Sequence, residues 1–459
     1  MPADLYERLA KRIRSRSVKI AVIGLGHVGL PLAVSFAEAG YQTIGVDNDK
    51  QRLECLARGK SYLRNKSVER SLPKLIRSGK LRVTTDTRGA VEEADCVEVC
   101  VPTPLDARNK PDTSIISDVL RTVGNHLKSG KLVIIESTVY PGFTESVARH
   151  LLQRKGLKCG KEFALACSPE RLDPGNQRYE LRDIPKIVGG VDETSAQLTS
   201  LLYERLLKNG VVQVSNARTA ECTKLFENVY RFVNIALVNE LALLCPKIGV
   251  DVFEVISAAS SKPFGFHPHY PGPGVGGPCI PKDPYYLDYL AKKVGMPLRL
   301  VEASADINRM MPLKVVSQLR RELKALGLRS PKVAILGLAY KAGSSVTLNS
   351  PAIKVIPRLL HDRVKLRLYD PYVSSIRIDG KVMRTRASVT QASASADCLL
   401  FLVDHPDFKK LDLSNLNKVV AERCVLFDTR NIFDFKKVEA AGFQYLGFGK
   451  VSATAHAVR

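Results

Sequence analysis

A strand that runs straight into a glycine turn narrows the choice of fold more than any other feature of this chain. Residues 18–24, VKIAVIG, form an apolar run of strand length, and GLGHVGLPLAVSFAEAG follows with Gly24, Gly26 and Gly29 in GxGxxG spacing. The first glycine permits a tight turn, the second lets a pyrophosphate approach the backbone, and the third lets helix and strand pack closely. The free amides of the helix N-terminus would then face the phosphates, with Val28 among the contacting positions. A second strand, TIGVDND, ends in Asp47, about 20 residues on, where a carboxylate can accept hydrogen bonds from an adenosine ribose. That carboxylate favours NAD, because the extra phosphate of NADP would be repelled. Without this context the glycines would mark only a structural turn, and Asp47 an ordinary cap.

Further strand-like runs recur at α/β intervals: DCVEVCVPTPL (residues 95–105), LVIIESTVYPG (132–142) and FALACSPERLDPGN (163–176). Each ends in a polar, proline-rich loop. Strand ends of a parallel sheet line the ligand crevice, so Thr103, Thr138 and Glu170 are expected to converge there. Past residue 215 the texture changes to TAECTKLFENVYRFVNIALVNELALLCPKIGV, with apolar residues every three or four positions. Its length suggests a bridging helix. Lys224 and Asn228, four apart, share one face of it, a spacing met more often in solvated surface pairs than in sites. Near residue 333, VAILG repeats the strand-then-glycine turn, and LRLYDPY, CLLFLVDHP and VLFDTRN follow as strands. The expected architecture is α/β: two Rossmann-like doubly wound domains joined by a long central helix. The expected boundaries are 1–215 for an NAD-binding domain, 216–328 for a central helical domain and 329–459 for a second Rossmann-like domain, with LRSP (328–331) at the junction.

Composition supports a soluble globular protein: 45% hydrophobic and 25% charged over 459 residues, with no apolar run that approaches a bilayer span. The first residues, MPADLYERLAKRIRSRS, lack an apolar segment and a cleavage site, and they read as a surface helix rather than a secretion signal. Of the ten cysteines, none forms a CxxC pair or a zinc-like cluster with histidine, so no metal is expected. Cys96, Cys100, Cys167, Cys245, Cys398 and Cys424 lie in apolar runs and read as small buried hydrophobes, a usage that suits a reducing cytoplasm. The net charge of +23 would reward a polyanionic partner. The basic residues, however, are spread along the chain with no basic block, which favours solvated faces over a nucleic-acid surface.

One cysteine differs from the others. In GGPCIPKDPYYL (276–287), Cys279 lies just before Asp283 and Pro284, which read as an N-cap and first helical residue, with Leu287, Leu290, Ala291 and Val294 as the apolar stripe. A helix N-terminus and Lys282 would both favour the thiolate, and Gly272, Gly274, Gly276 and Gly277 allow close backbone approach to a ligand. A buried inert thiol is the ordinary alternative.

Taken in order, GLGHVGLPLA, VCVPTPL, ESTVYPGFT, SPERLDPGN, KLFEN, PGPGVGGPCIPKDPYYL, GLAYK and FDTRN resemble the UDP-glucose/GDP-mannose dehydrogenase family over essentially the whole chain. Within it, SPERLDPGN with IPKIVGG and KPFGFHPHYPGPG looks most like the branch that oxidises UDP-N-acetylglucosamine at C6; UDP-N-acetylmannosamine and UDP-glucose are the alternatives. The resemblance implies a four-electron oxidation of an alcohol to an acid through a cysteine adduct, with two NAD reduced per cycle. It makes Cys279 the nucleophile, Lys224 and Asn228 the stabilisers of the oxyanion, and Glu170 the activator of water for thioester hydrolysis. Thr138 and Asp283 would position a water for proton removal, and Thr103 would approach the nicotinamide. Arg171, Tyr270, Gly274, Gly276 and Lys341 would contact the UDP-sugar together with Glu170, Lys224 and Asn228. The central helix would form much of a homodimer interface, or that of a dimer of dimers. This chain departs from the family pattern after GLAYK, where it reads AGSSVTLNSPA and places Leu348 at the expected arginine. It departs again at Pro278 and His27. The arginine is associated with cofactor contact, and its loss raises the alternative of a catalytically weak nucleotide-sugar-binding protein.

Overall fold

The computed structural model describes residues 3–63, 65–172 and 179–451. The chain forms two compact units, Met1–Glu227 with Tyr285–Pro297, and Asn228–Pro284 with Leu298–Arg459.

The first unit is built on β1 (Lys19–Ile23), β2 (Gln42–Val46), β3 (Leu81–Thr84), β4 (Cys96–Val99), β5 (Lys131–Ile135), β6 (Phe163–Cys167), β7 (Lys186–Gly190) and β8 (Val211–Gln213). They form one sheet in the order β3-β2-β1-β4-β5-β6-β7-β8, parallel except where β7 pairs antiparallel with β6. The first six strands follow the dinucleotide-binding order, and the sheet reverses direction between β1 and β4, where ligands of such sheets bind. Burial of every residue in β4, β5 and β6 accounts for their mainly apolar composition, interrupted by Glu98 in β4 and Lys131 in β5, since helices cover both faces of the sheet. The N-terminal segment is a helix, Ala3–Arg14, that buries Leu9, Ala10 and Ile13.

In the second unit, β9 (Lys332–Leu336), β10 (Lys365–Tyr369), β13 (Cys398–Phe401), β14 (Val425–Asp428) and β15 (Gln444–Gly447) form a parallel sheet in the order β10-β9-β13-β14-β15. This is the other common doubly wound order, with its switch point between β9 and β13. The hairpin of β11 (Ser375–Ile378) and β12 (Lys381–Arg384) stands apart from it. The two-fold α/β architecture expected from the sequence is present, and all six cysteines read as buried hydrophobes are buried.

The helix Ala217–Leu244 starts in the first unit and continues into the second. Here one sequence expectation needs correction. With its extension to Ile248 this helix is long and apolar enough to cross a membrane, with a mean hydropathy of 1.3 over a window of which 33% is buried. No uninterrupted run reveals it, because Asn234, Asn239 and Glu240 break the pattern that the average smooths over. Core helices of soluble proteins share this property.

Candidate active site

In the first unit, Gly24 leaves β1 at φ +93°, a left-handed conformation, and its amide bonds Val46 O at 2.7 Å. A Cβ on Gly29 would lie 1.8 Å from Gly24 O, whereas a Cβ on Gly26 would meet nothing within 4 Å. Two of the glycines are therefore required by the protein's own packing, and the middle one borders open space. Beside it the helix Gly29–Glu38 begins after Val28 with no side-chain cap among the described residues. The Leu30 amide bonds Gly26 O at 3.2 Å and Pro31 has no N–H, so the Gly29 amide is the one of the first turn turned to a ligand. Asp47, buried after β2, has a second duty that the sequence did not suggest: its Oδ2 accepts from the Leu25 amide at 2.9 Å and its Oδ1 from the Asp49 amide at 2.9 Å. These residues fit a dinucleotide, with an uncapped helix end and a bare backbone for the pyrophosphate and an anchored carboxylate for the ribose.

Thr103, Thr138 and Glu170 follow the carboxyl ends of β4, β5 and β6, three adjacent strands. Thr103 is buried and Thr138 half-buried. The Thr103 and Pro104 carbonyls accept from the hydroxyl of Tyr286 at 2.8 and 3.1 Å. Glu170 is buried; its Oε1 accepts from the amides of Arg171 and Leu172, while its Oε2 has no hydrogen-bond partner among the described residues. Arg171 is committed elsewhere, pairing with Glu227 at 2.6 Å and donating to Pro185 O at 2.8 Å. The rest of SPERLDPGN, residues 173–176, lies outside the described residues. Lys224, on the central helix, is buried. One turn before it, Glu221 accepts from the amides of Gly142 at 2.5 Å and Thr144 at 2.8 Å and so holds the loop that follows Thr138.

The second unit holds the cysteine. Cys279 is half-buried, and its carbonyl accepts from the amides of Lys282 and Asp283, both at 2.9 Å. The helix that follows, Asp283–Lys293, begins at Asp283 itself, one residue earlier than the cap assignment placed it. Its buried positions also differ from the expected stripe. Asp283 and Tyr286 are fully buried and Asp288 nearly so, while Val294 lies beyond the helix end at 72% exposure. The Asp283 carboxylate accepts from Asn228 Nδ2 at 2.5 Å and lies 3.3 Å from Lys282 Nζ, so the lysine charge is turned toward Asp283.

The glycine loop before Cys279 is held from two sides. Gly272 N donates to Asn239 Oδ1 at 3.0 Å, and Asn239 in turn donates to Asn308 at 2.9 Å, a buried amide pair. Gly277, at φ +93°, donates to Leu348 O at 2.9 Å and accepts from Asn349 Nδ2 at 3.1 Å. A Cβ on Gly277 would strike the Tyr340 ring at 2.6 Å, and one on Gly276 would strike Asn349 O at 2.8 Å. Gly274 packs on Pro312. Lys341 Nζ lies 5.6 Å from the Tyr340 ring centre, and Tyr270 is exposed. Leu348, where an arginine was expected, thus uses its backbone to hold the cysteine loop. Tyr286, Tyr340, Asn349 and Asn239 were not singled out from the sequence. Tyr340 stood inside the quoted GLAYK, but nothing in the linear sequence indicated its partner.

The arrangement can be compared with known proteins. Residues 18–207 match the NAD binding domain of the UDP-glucose/GDP-mannose dehydrogenase family, residues 218–310 its central domain and residues 334–435 its UDP binding domain. The chain belongs to that family. A UDP-N-acetyl-D-mannosamine dehydrogenase of Pyrococcus horikoshii is 38% identical over 435 residues, 94% of this chain and 99% of that one. A UDP-N-acetyl-D-glucosamine 6-dehydrogenase of Pseudomonas aeruginosa is 31% identical over 425 residues, 92% and 99% of the two chains. The solved structure of a UDP-D-ManNAc dehydrogenase from Pyrococcus horikoshii superposes with a TM-score of 0.86 at 37% identity, covering 94% of this chain and 99% of that one. The protein is an NAD-dependent UDP-sugar dehydrogenase, an oxidoreductase.

Proposed function

We propose that this dehydrogenase oxidises the C6 hydroxyl of a UDP-N-acetylhexosamine to the uronic acid, with Cys279 as the covalent nucleophile. The observation that carries the reading is the cysteine loop itself: a half-buried thiol one turn before a helix, in a glycine segment clamped by Asn239, Tyr340 and Asn349. Relatives named for the N-acetylmannosamine and N-acetylglucosamine nucleotides support the sugar class. Bound NAD would supply the acceptor for the electron pair of each oxidation.

The side chains would do the rest. Asp283 and Thr138 would hold the water that takes the hydroxyl proton, and Lys224 with Asn228 would stabilise the oxyanion as the alcohol becomes an aldehyde. The Cys279 sulfur would add to the aldehyde carbon, because an aldehyde has no removable hydride until a nucleophile adds to it. Oxidation of that thiohemiacetal gives a thioester. Water assisted by Glu170 then attacks the carbonyl carbon, the C–S bond breaks, and acid and thiolate are released. The Glu170 Oε2, buried and with no hydrogen-bond partner among the described residues, suits acceptance of a proton from water.

The test is NADH formed per sugar consumed, with UDP-N-acetylglucosamine, UDP-N-acetylmannosamine, UDP-glucose and GDP-mannose offered in turn. Two NADH per sugar with one of the N-acetylhexosamine nucleotides is expected; one NADH per sugar would rule out the covalent route. Cys279→Ala should stop acid formation while NAD and sugar still bind.

We also propose that the protein is a cytoplasmic homodimer, or a dimer of dimers, rather than a membrane protein. Tyr230, Leu237, Leu244 and Ile248 leave apolar surface exposed along the long helix, which suits a second copy. Light scattering after purification without detergent should give a multiple of two chains; a monomer would contradict this.

A further inference from the structure

Below Glu170, in the interior of the first unit, lies a group of ionisable side chains that the proposed chemistry does not use. Glu98 on β4, Glu136 at the end of β5, Lys186 on β7 and Tyr203 on the helix Glu193–Glu204 are each at most 4% exposed. Lys186 Nζ lies 2.6 Å from Glu136 Oε1 and 2.8 Å from its Oε2. The same nitrogen lies 3.8 Å from Glu170 Oε2, the oxygen without a hydrogen-bond partner among the described residues. Tyr203 closes the group from the other side. Its hydroxyl is 3.0 and 3.1 Å from the two Glu98 oxygens and also bonds Glu136 Oε1, while its ring lies 4.9 Å from Lys186 Nζ. A phenol has one proton to donate, so it satisfies both carboxyl groups only if one of them is protonated and donates to it. Glu136 faces the Lys186 ammonium, which leaves Glu98 as the protonated partner. Burial first, and the neighbouring Glu136 charge second, push the Glu98 carboxyl up in the same direction.

Buried ion pairs seldom add stability over well-packed apolar residues, because two charges must leave water. A lysine placed between a buried carboxylate and the proposed hydrolytic base therefore calls for another reason. Glu170 Oε1 is tied to backbone amides, and among the described residues Lys186 is the cation that pairs with Oε2. Its ammonium is itself fixed by both oxygens of Glu136.

We propose that Lys186, anchored by Glu136, is a positioning residue for thioester hydrolysis: it holds Glu170 Oε2 where it accepts the proton of the attacking water. The step moves no electrons to an acceptor. The water oxygen bonds the carbonyl carbon, its proton passes to Oε2, the C–S bond breaks, and the thiolate of Cys279 departs. The proposal rests on the reading of Glu170 as hydrolytic base. Because Lys186 acts only on the last step, its loss strands the acyl-enzyme and leaves the earlier oxidations running.

The experiment is intact-mass measurement after mixing enzyme with NAD and either UDP-N-acetylmannosamine or UDP-N-acetylglucosamine, with single-turnover NADH recorded alongside. Glu170→Gln serves as the reference, Lys186→Met as the test, and the double variant Lys186→Met/Glu136→Gln carries the test if the single lysine variant does not fold. The expected result is a covalent sugar adduct on most molecules of the lysine variant and of Glu170→Gln. A burst of two NADH per site should be followed by turnover slowed about 100-fold, the scale of a reacting group misplaced by about 1 Å. Lys186→Arg should restore part of the turnover. An adduct in Glu170→Gln but none in a folded lysine variant overturns the role of Lys186 alone. No adduct in Glu170→Gln overturns the reading of Glu170 and this proposal with it.

Discussion

Asn228 Nδ2 donates to Asp283 Oδ2 at 2.5 Å across 55 residues of sequence, joining the central helix to the first turn of the helix after Cys279. Asp283 is fully buried, so its carboxylate depends on Asn228 and Lys282 for compensation. Asp283→Ala should lower kcat by about 10²- to 10⁴-fold, the range for a lost proton-transfer group. It should also cost about 1–3 kcal/mol in urea unfolding, because polar partners are left unpaired. Asp283→Asn should recover much of the stability and none of the rate. Wild-type kcat in that variant would remove Asp283 from the proton path.

The glycines of the first turn should separate ligand binding from folding. Gly26→Ala places its Cβ in open space, so its melting temperature should stay near wild type while KM for NAD rises at least about tenfold. Gly29→Ala forces a Cβ against Gly24 O at 1.8 Å and should destabilise the unit, by about 1–3 kcal/mol or more for an overpacked contact. An unchanged KM in Gly26→Ala would mean that the dinucleotide does not cross this turn.

Asn349 has φ +54°, a left-handed conformation that asparagine and glycine tolerate, and its side chain donates to Gly277 O. Asn349→Gly keeps the backbone and deletes only that bond. It should cost about 0.5–1.5 kcal/mol at most, yet reduce kcat more than KM by loosening the segment before Cys279. Unaltered kinetics would show that Tyr340 and Leu348 O suffice to hold the loop.

Burial raises the Glu221 carboxyl to about 7, against the opposing pull of the Thr144 and Gly142 groups that bond it. Its ordinary value is 4.5, so between about pH 4.5 and 7 the folded state binds more protons than the unfolded state, and stability falls as pH rises through that window. The full effect is on the order of 3 kcal/mol. Relative to wild type, Glu221→Gln should melt lowest at pH 5 and recover by pH 8. A pH-independent difference between the two proteins would contradict the raised value.

Much of the fold and part of the site were legible in the chain. The mainly apolar runs of β4, β5 and β6 and the glycine turn after β1 are local signals, and each led to the element observed. Cys279 was distinguished from the buried thiols because its neighbours are glycine, proline, lysine and aspartate instead of valine and leucine. The helix after it was less legible. Tyr286 is buried where the spacing favoured Leu287 and Val294, because its hydroxyl has carbonyls to bond whereas Val294 lies past the helix end in solvent.

Residue order alone therefore determined the strands at the middle of each sheet, where the backbone must turn sharply, and which thiol sits among reactive neighbours, since these depend on steric and hydrophobic preferences acting over a few residues. The short strands β3, β8, β11, β12 and β15 carry no such apolar run and were not read from the sequence. Tertiary structure alone decided that Lys186 meets Glu136 from 50 positions away, and that Asn349 reaches Gly277 from 72. Periodicity indicates which face a side chain occupies. The partner it finds there depends on strand order and on a buried polar group's need for a hydrogen bond, neither of which is written in the spacing of the chain.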